Sequence, residues 1–165
     1  MALSSDTLAT ELKNLGEYSD EPPALAAWAQ AFATYFTGAQ SNLVPILPAA
    51  LPAAQAAFIT AGGGLSTDAV KSLTAGILAF WGALVPAAAW PTVTAITPPP
   101  GVVGAPAPLE NALKVTFLAN TIAALSKDEC MDAIAATIHG LMVPLVPPGG
   151  IATWPTPGPG PQPIT

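Results

Sequence analysis

The chain has 165 residues, a net charge of −6 and charged residues at only 8%, against the usual ~25%, with four lysines and no arginine. That balance excludes the basic stripe with which nucleic-acid binders displace counterions, so no nucleic-acid partner is expected. The length sets one domain with a real core, and the lone Cys130 excludes an intramolecular disulfide scaffold.

The charges fall in three islands, at residues 6–21, at Asp68 and Lys71, and at residues 110–132. Each island coincides with the same signature, whose aspartate belongs to it: Leu3-Ser4-Ser5-Asp6, Leu65-Ser66-Thr67-Asp68 and Leu125-Ser126-Lys127-Asp128. Its physics is that of a helix start. Serine caps an otherwise unpaired amide, and aspartate two residues on favours the positive end of the helix dipole. The preceding leucine is placed to staple onto Leu8, Val70 or Cys130. In the third copy Ser126 and Glu129 complete a capping box.

From these starts the periodicity predicts five helices in chain order. The first covers residues 6 to about 15, with Leu8, Leu12 and Leu15 on one face. The second follows Pro22-Pro23 and covers about 24–37, with Leu25, Trp28, Phe32, Tyr35 and Phe36 at helical spacing, an aromatic stripe that reads as core, with a lipid or small-ligand pocket as the alternative. The third is short, about 52–60, before Gly62-Gly63-Gly64. The fourth covers 67 to about 85, with Val70, Leu73, Ile77, Phe80, Trp81 and Leu84 on its large face and Ala75, Gly76, Ala79, Gly82 and Ala83 as a small-residue surface. The fifth covers about 108–124 and restarts at Ser126 to reach about Met142, which makes six helices if the break is real.

Two segments read as non-helical. Residues 86–108 form a long Pro-rich loop. Residues 143–165 hold eight prolines and read as a polyproline-type arm. The fold class expected is therefore all-α: a compact bundle of five or six helices over residues 1–142, with a C-terminal arm at 143–165. Trp90 in the loop, and Ile151, Trp154 and Ile164 in the arm, are large apolar side chains in segments without a core, and are the candidate interaction residues. Residues 73–90 are uncharged, long enough to raise a membrane span, but Pro86, two glycines and a single flanking Lys71 argue against it. The N-terminus lacks the basic and apolar regions of a signal peptide, so secretion by that route is not expected.

Candidate chemistry is thin. Cys130 and His139 are nine positions apart, half a turn out on one helix, and do not form a nucleophile–base dyad there. Cys130 reads as the staple residue at a helix start, a small buried hydrophobe. Asp132 and His139 share a face, and His139 reads as a partner for the helix C-terminus. One histidine and one cysteine do not make a zinc site. Glu17, Asp20 and Glu21 lack calcium-loop spacing and read as a solvated linker. The three glycines at 62–64 lack the Gly-Lys-Ser/Thr of a phosphate loop. No cofactor or metal is expected, and an enzyme is not expected.

Ala26-Ala27-Trp28, Ala79-Phe80-Trp81, residues 95–101 (Ala-Ile-Thr-Pro-Pro-Pro-Gly) and the helix start at Leu125 together resemble small Ala/Pro-rich helical virion proteins of tailed bacteriophages. The resemblance spans about residues 24–140 and brings no catalytic residues with it. It implies a structural subunit in a multi-copy assembly, located in a virion, with other virion proteins and further copies as partners. The expected function is thus a non-enzymatic assembly subunit. The alternative is a helical module that binds a hydrophobic ligand or a membrane surface.

Overall fold

The computed structural model describes residues 3–41, 44–45, 49–84, 95–97, 107–142, 151–153 and 161–163; the short strands and Ala107 are described by their backbone alone. Six helices, α1 (Ser5–Lys13), α2 (Glu21–Phe36), α3 (Leu51–Ala61), α4 (Ala69–Leu84), α5 (Ala107–Ala123) and α6 (Lys127–Met142), form a compact all-α bundle. Each helix packs on the next, and α6 closes the circuit by packing on α1. The strands are two or three residues long: β1 (Gln40–Ser41), β2 (Val44–Pro45), β3 (Ala95–Thr97), β4 (Ile151–Thr153) and β5 (Pro161–Pro163).

Helix starts follow the capping chemistry with one correction. Ser4 caps α1 by accepting from the Asp6 amide at 3.2 Å. Ser126 and Glu129 form the reciprocal box at α6, with the Ser126 amide and hydroxyl both donating to the Glu129 carboxylate at 2.9 and 2.7 Å. At α4 the cap is not Ser66. Gly64 takes φ +90°, the amides of Thr67 and Asp68 both fold back onto its carbonyl, and the turn consumes residues 65–67. Asp68 then caps the helix by accepting from the Lys71 amide at 3.0 Å. α2 begins three residues earlier than expected, because Pro22 and Pro23 lie in a first turn whose amides have no intrahelical acceptor.

The break between α5 and α6 is real. Ala124 takes φ +51°, its amide reaches the Thr121 carbonyl, and the Leu125 amide reaches that of Asn120. This is a left-handed helix stop made without glycine.

α2 is the central helix. Leu25, Trp28, Ala29, Ala31, Phe32, Tyr35 and Phe36 are all buried, covering most of its circumference. The aromatic stripe is core: Phe32 meets Phe58 and Phe80 at ring-centroid distances of 5.6 and 6.0 Å, and Phe36 meets Phe80 and, edge-on, Trp81 at 5.2 and 5.1 Å. The small-residue surface of α4 splits in two. A Cβ on Gly76 would sit 3.0 Å from the Phe58 ring, so this glycine lets α3 seat its aromatic anchor, whereas Gly82 faces open space.

The strands join two segments far apart in sequence. β4 pairs antiparallel with β3, Ile96 opposite Ala152, and with β5, Ala152 opposite Gln162. Where a polyproline-type arm is expected, two short stretches of it are laddered, one against the Pro-rich loop. The prolines of β5 fall on an edge strand, where the missing amide is tolerated.

Candidate docking surface

Five large apolar side chains are exposed among the described residues, and three of them lie on one helix. Val115, Leu118 and Ile122 of α5 are 68%, 62% and 76% exposed. They recur at spacings of three and four, so they form one stripe along the helix. The opposite face supplies what α5 contributes to the core: Leu109 and Leu113 are fully buried and Asn120 nearly so. Among the described residues α5 packs extensively on α4 and α6, and its outer face is exposed. The charge nearest the stripe, Lys114, is tied to Glu110 one turn back at 2.5 Å, which raises the lysine pKa.

On another side of the helix, an open cleft of about 470 Å³ is lined from α2, α4, α5 and α6 and by none of the stripe residues. Trp28, Leu65, Leu73, Phe117, Met131 and Ile134 make most of its wall, and Cys130 reaches its edge. Cys130 stands in the first turn of α6, its thiol 3.8 Å from the Leu125 carbonyl, but it is half-buried on the cleft rather than buried as the sequence leads one to expect.

The polar candidates resolve into structural contacts. His139 Nδ1 lies 2.8 Å from the Tyr35 hydroxyl, tying the ends of α2 and α6 together. Burial lowers the His139 pKa and raises that of Tyr35. Asp132 does not serve His139. It pairs with Lys13 of α1 at 2.6 Å, a hydrogen bond that raises the lysine pKa, while Lys127 donates to the Leu15 carbonyl at the same seam.

Glu21 is not a linker charge. Its carboxylate accepts from the Gly64 amide at 2.7 Å and from the Ser66 amide and hydroxyl at 3.4 and 3.2 Å, and these bonds lower its pKa, Gly64 foremost. The glycine turn therefore already holds an anion, supplied by α2. Among the described residues no three His, Cys, Asp or Glu side chains stand together as a metal set. No helix of the described residues is long and apolar enough to cross a membrane.

Of the sequence-derived interaction residues, Trp90, Trp154 and Ile164 lie outside the described residues, and Ile151 is placed by its backbone in β4. Sequence reasoning missed the α5 stripe. Its signal was present in the 4-3-4 spacing of Asn111, Val115, Leu118 and Ile122, which runs beside a second apolar series at Leu109, Leu113 and Phe117. Periodicity finds both faces and does not say which one is covered.

The chain matches no protein-family model, no curated protein sequence and no solved structure.

Proposed function

We propose that the protein is a non-enzymatic structural subunit of a multi-protein particle of the tailed-phage virion kind, present in several copies and docked through apolar helix surface. The observation that carries this reading is the stripe Val115, Leu118 and Ile122, exposed on a helix whose other face is already satisfied by the bundle. Covering such side chains contributes about 1–2 kcal/mol each, and a stripe of this kind marks a contact surface more often than three scattered leucines would. Scarcity of charge supports the same reading, since an interface core is depleted in charged residues. The test is gradient purification of particles from the producing cells, followed by mass spectrometry. The chain should co-purify at fixed stoichiometry. Recovery solely with free protein would overturn the reading. Chains ended after Met142 should fold to the same helicity and incorporate less well.

The cleft favours a second reading, a module for a hydrophobic ligand. Its volume lies in the range of small-molecule sites, ~300–1,000 Å³, and its wall is mostly apolar. Calorimetric titration with octanol is the check: saturable binding lost in Met131→Glu supports the module, and a flat titration removes it.

A further inference from the structure

We infer that the partner of the α5 stripe is the same stripe on a second copy of this chain, packed as a two-helix seam. The inference rests on the reading of α5 as a docking face and names its occupant. Asn111, Val115, Leu118 and Ile122 follow one another at four, three and four residues, the alternation of the core positions of a coiled coil. The positions flanking the seam on the same helix are Ala112, Lys114, Ala119 and Thr121, mostly small, so a second helix can approach closely.

Electrostatics agrees. A chain of net charge −6 repels its own copies over most of its surface. The seam escapes this because its nearby lysine and carboxylate, Lys114 and Glu110, neutralise one another within the helix. A lipid surface is a poorer occupant, because interfacial helices carry a basic face and α5 carries one lysine. Residues 151–153 of the Pro-rich arm are poorer too, since their backbone is already laddered on both sides. Size sets the strength. A helix of 17 residues is about 25 Å long and about 10 Å wide. Its footprint is a fraction of the ~800 Å² per partner of a standard interface. The dimer is therefore weak, micromolar to millimolar, and is reinforced when many copies are held in one particle.

Sedimentation equilibrium over a concentration series tests this on the full chain. The wild type should rise from the 16.5 kDa monomer toward twice that mass. Leu118→Glu, which sets two carboxylates against each other across the seam, should weaken association by about 30-fold or more. Circular dichroism confirms that the variant is folded, and Val115→Lys provides a second disruption should it not be. Leu118→Cys in a Cys130→Ala background should form a disulfide-linked dimer in air far faster than Ser19→Cys in the same background. A wild type that remains monomeric at the highest concentration, or equal cross-linking at the two sites, overturns the self-seam. Particle incorporation separates the two levels of the argument. If the wild type is monomeric and Leu118→Glu still blocks incorporation, the face docks on something else and the self-seam is wrong. If Leu118→Glu incorporates normally, the docking reading fails with it.

Discussion

Helices α2 and α5, of 16 and 17 residues, carry apolar residues at the same helical spacing, yet their outcomes are opposite. On α2 the aromatics and several of the alanines are buried, with α1 and α3 packed along the helix, rings of α4 against Phe32 and Phe36, and His139 of α6 on Tyr35. On α5 one apolar face is sealed and another, of comparable bulk, meets solvent. The difference is one of neighbours rather than composition. α2 adds to its packing on α1 and α3 the aromatic contacts with α4 and the Tyr35–His139 tie to α6, whereas among the described residues α5 packs extensively on α4 and α6 and presents its third side outward. Hydrophobicity of a helix therefore states how much surface must be covered, and topology decides whether the same chain covers it.

The largest expected effect lies on the sealed side. Phe32→Ala removes a fully buried ring that touches two others, and should cost about 3–5 kcal/mol in denaturant unfolding, while Val115→Ala should stay within about 0.5 kcal/mol. Equal costs at the two sites would erase the contrast. Next, Gly76→Val presses methyl groups onto the Phe58 ring and should cost about 1–3 kcal/mol, whereas Gly82→Ala, in open space on the same helix, should be neutral or stabilising. Thermal melting of the pair shows whether α4 is packed on one side alone.

A smaller effect concerns the ties between helices. The His139 pKa is lowered in the fold, so its contribution is complete above the ordinary histidine value of about 6.5 and is lost as pH falls below it. Glu21 and Glu129 are also lowered, so theirs is complete above about 4.3 and is lost as pH falls through the folded values. Lys13 and Lys114 are raised, and their contribution persists to about 10.4 and is lost as pH rises through the folded values. Stability against pH should therefore fall in two acid steps. His139→Gln should remove the upper one and Glu21→Gln should shrink the lower one. Smallest of all, Ala124→Gly relieves a positive φ at the α5–α6 stop and should stabilise by up to about 1 kcal/mol in thermal melts.

Much of the bundle was legible in the sequence, and the reasons are local. Ser4 and the Ser126–Glu129 box cap where their spacing says they should, because capping depends on three or four adjacent residues. The stripe at Trp28, Phe32, Tyr35 and Phe36 was legible as core for the same reason of periodicity. What failed was long-range. Ser66 loses its capping role to Asp68 because Glu21, 45 residues away, holds the turn. Asp132 looked like a neighbour for His139 along one helix and instead finds Lys13 on another, while His139 finds Tyr35 across 104 residues. The α5 stripe went unread because two apolar faces on one helix are equivalent until the fold selects one.

On the proposed reading, the outer face of α5 serves association and contributes nothing to the fold. Replacing Val115, Leu118 and Ile122 together by serine, then measuring the denaturant midpoint and the sedimenting mass on the same sample, tests it most directly. The midpoint should stay unchanged, within about 0.5 kcal/mol per site, and the variant should remain at 16.5 kDa at concentrations where the wild type is heavier. A midpoint lowered by several kcal/mol with the wild-type mass distribution retained would contradict it.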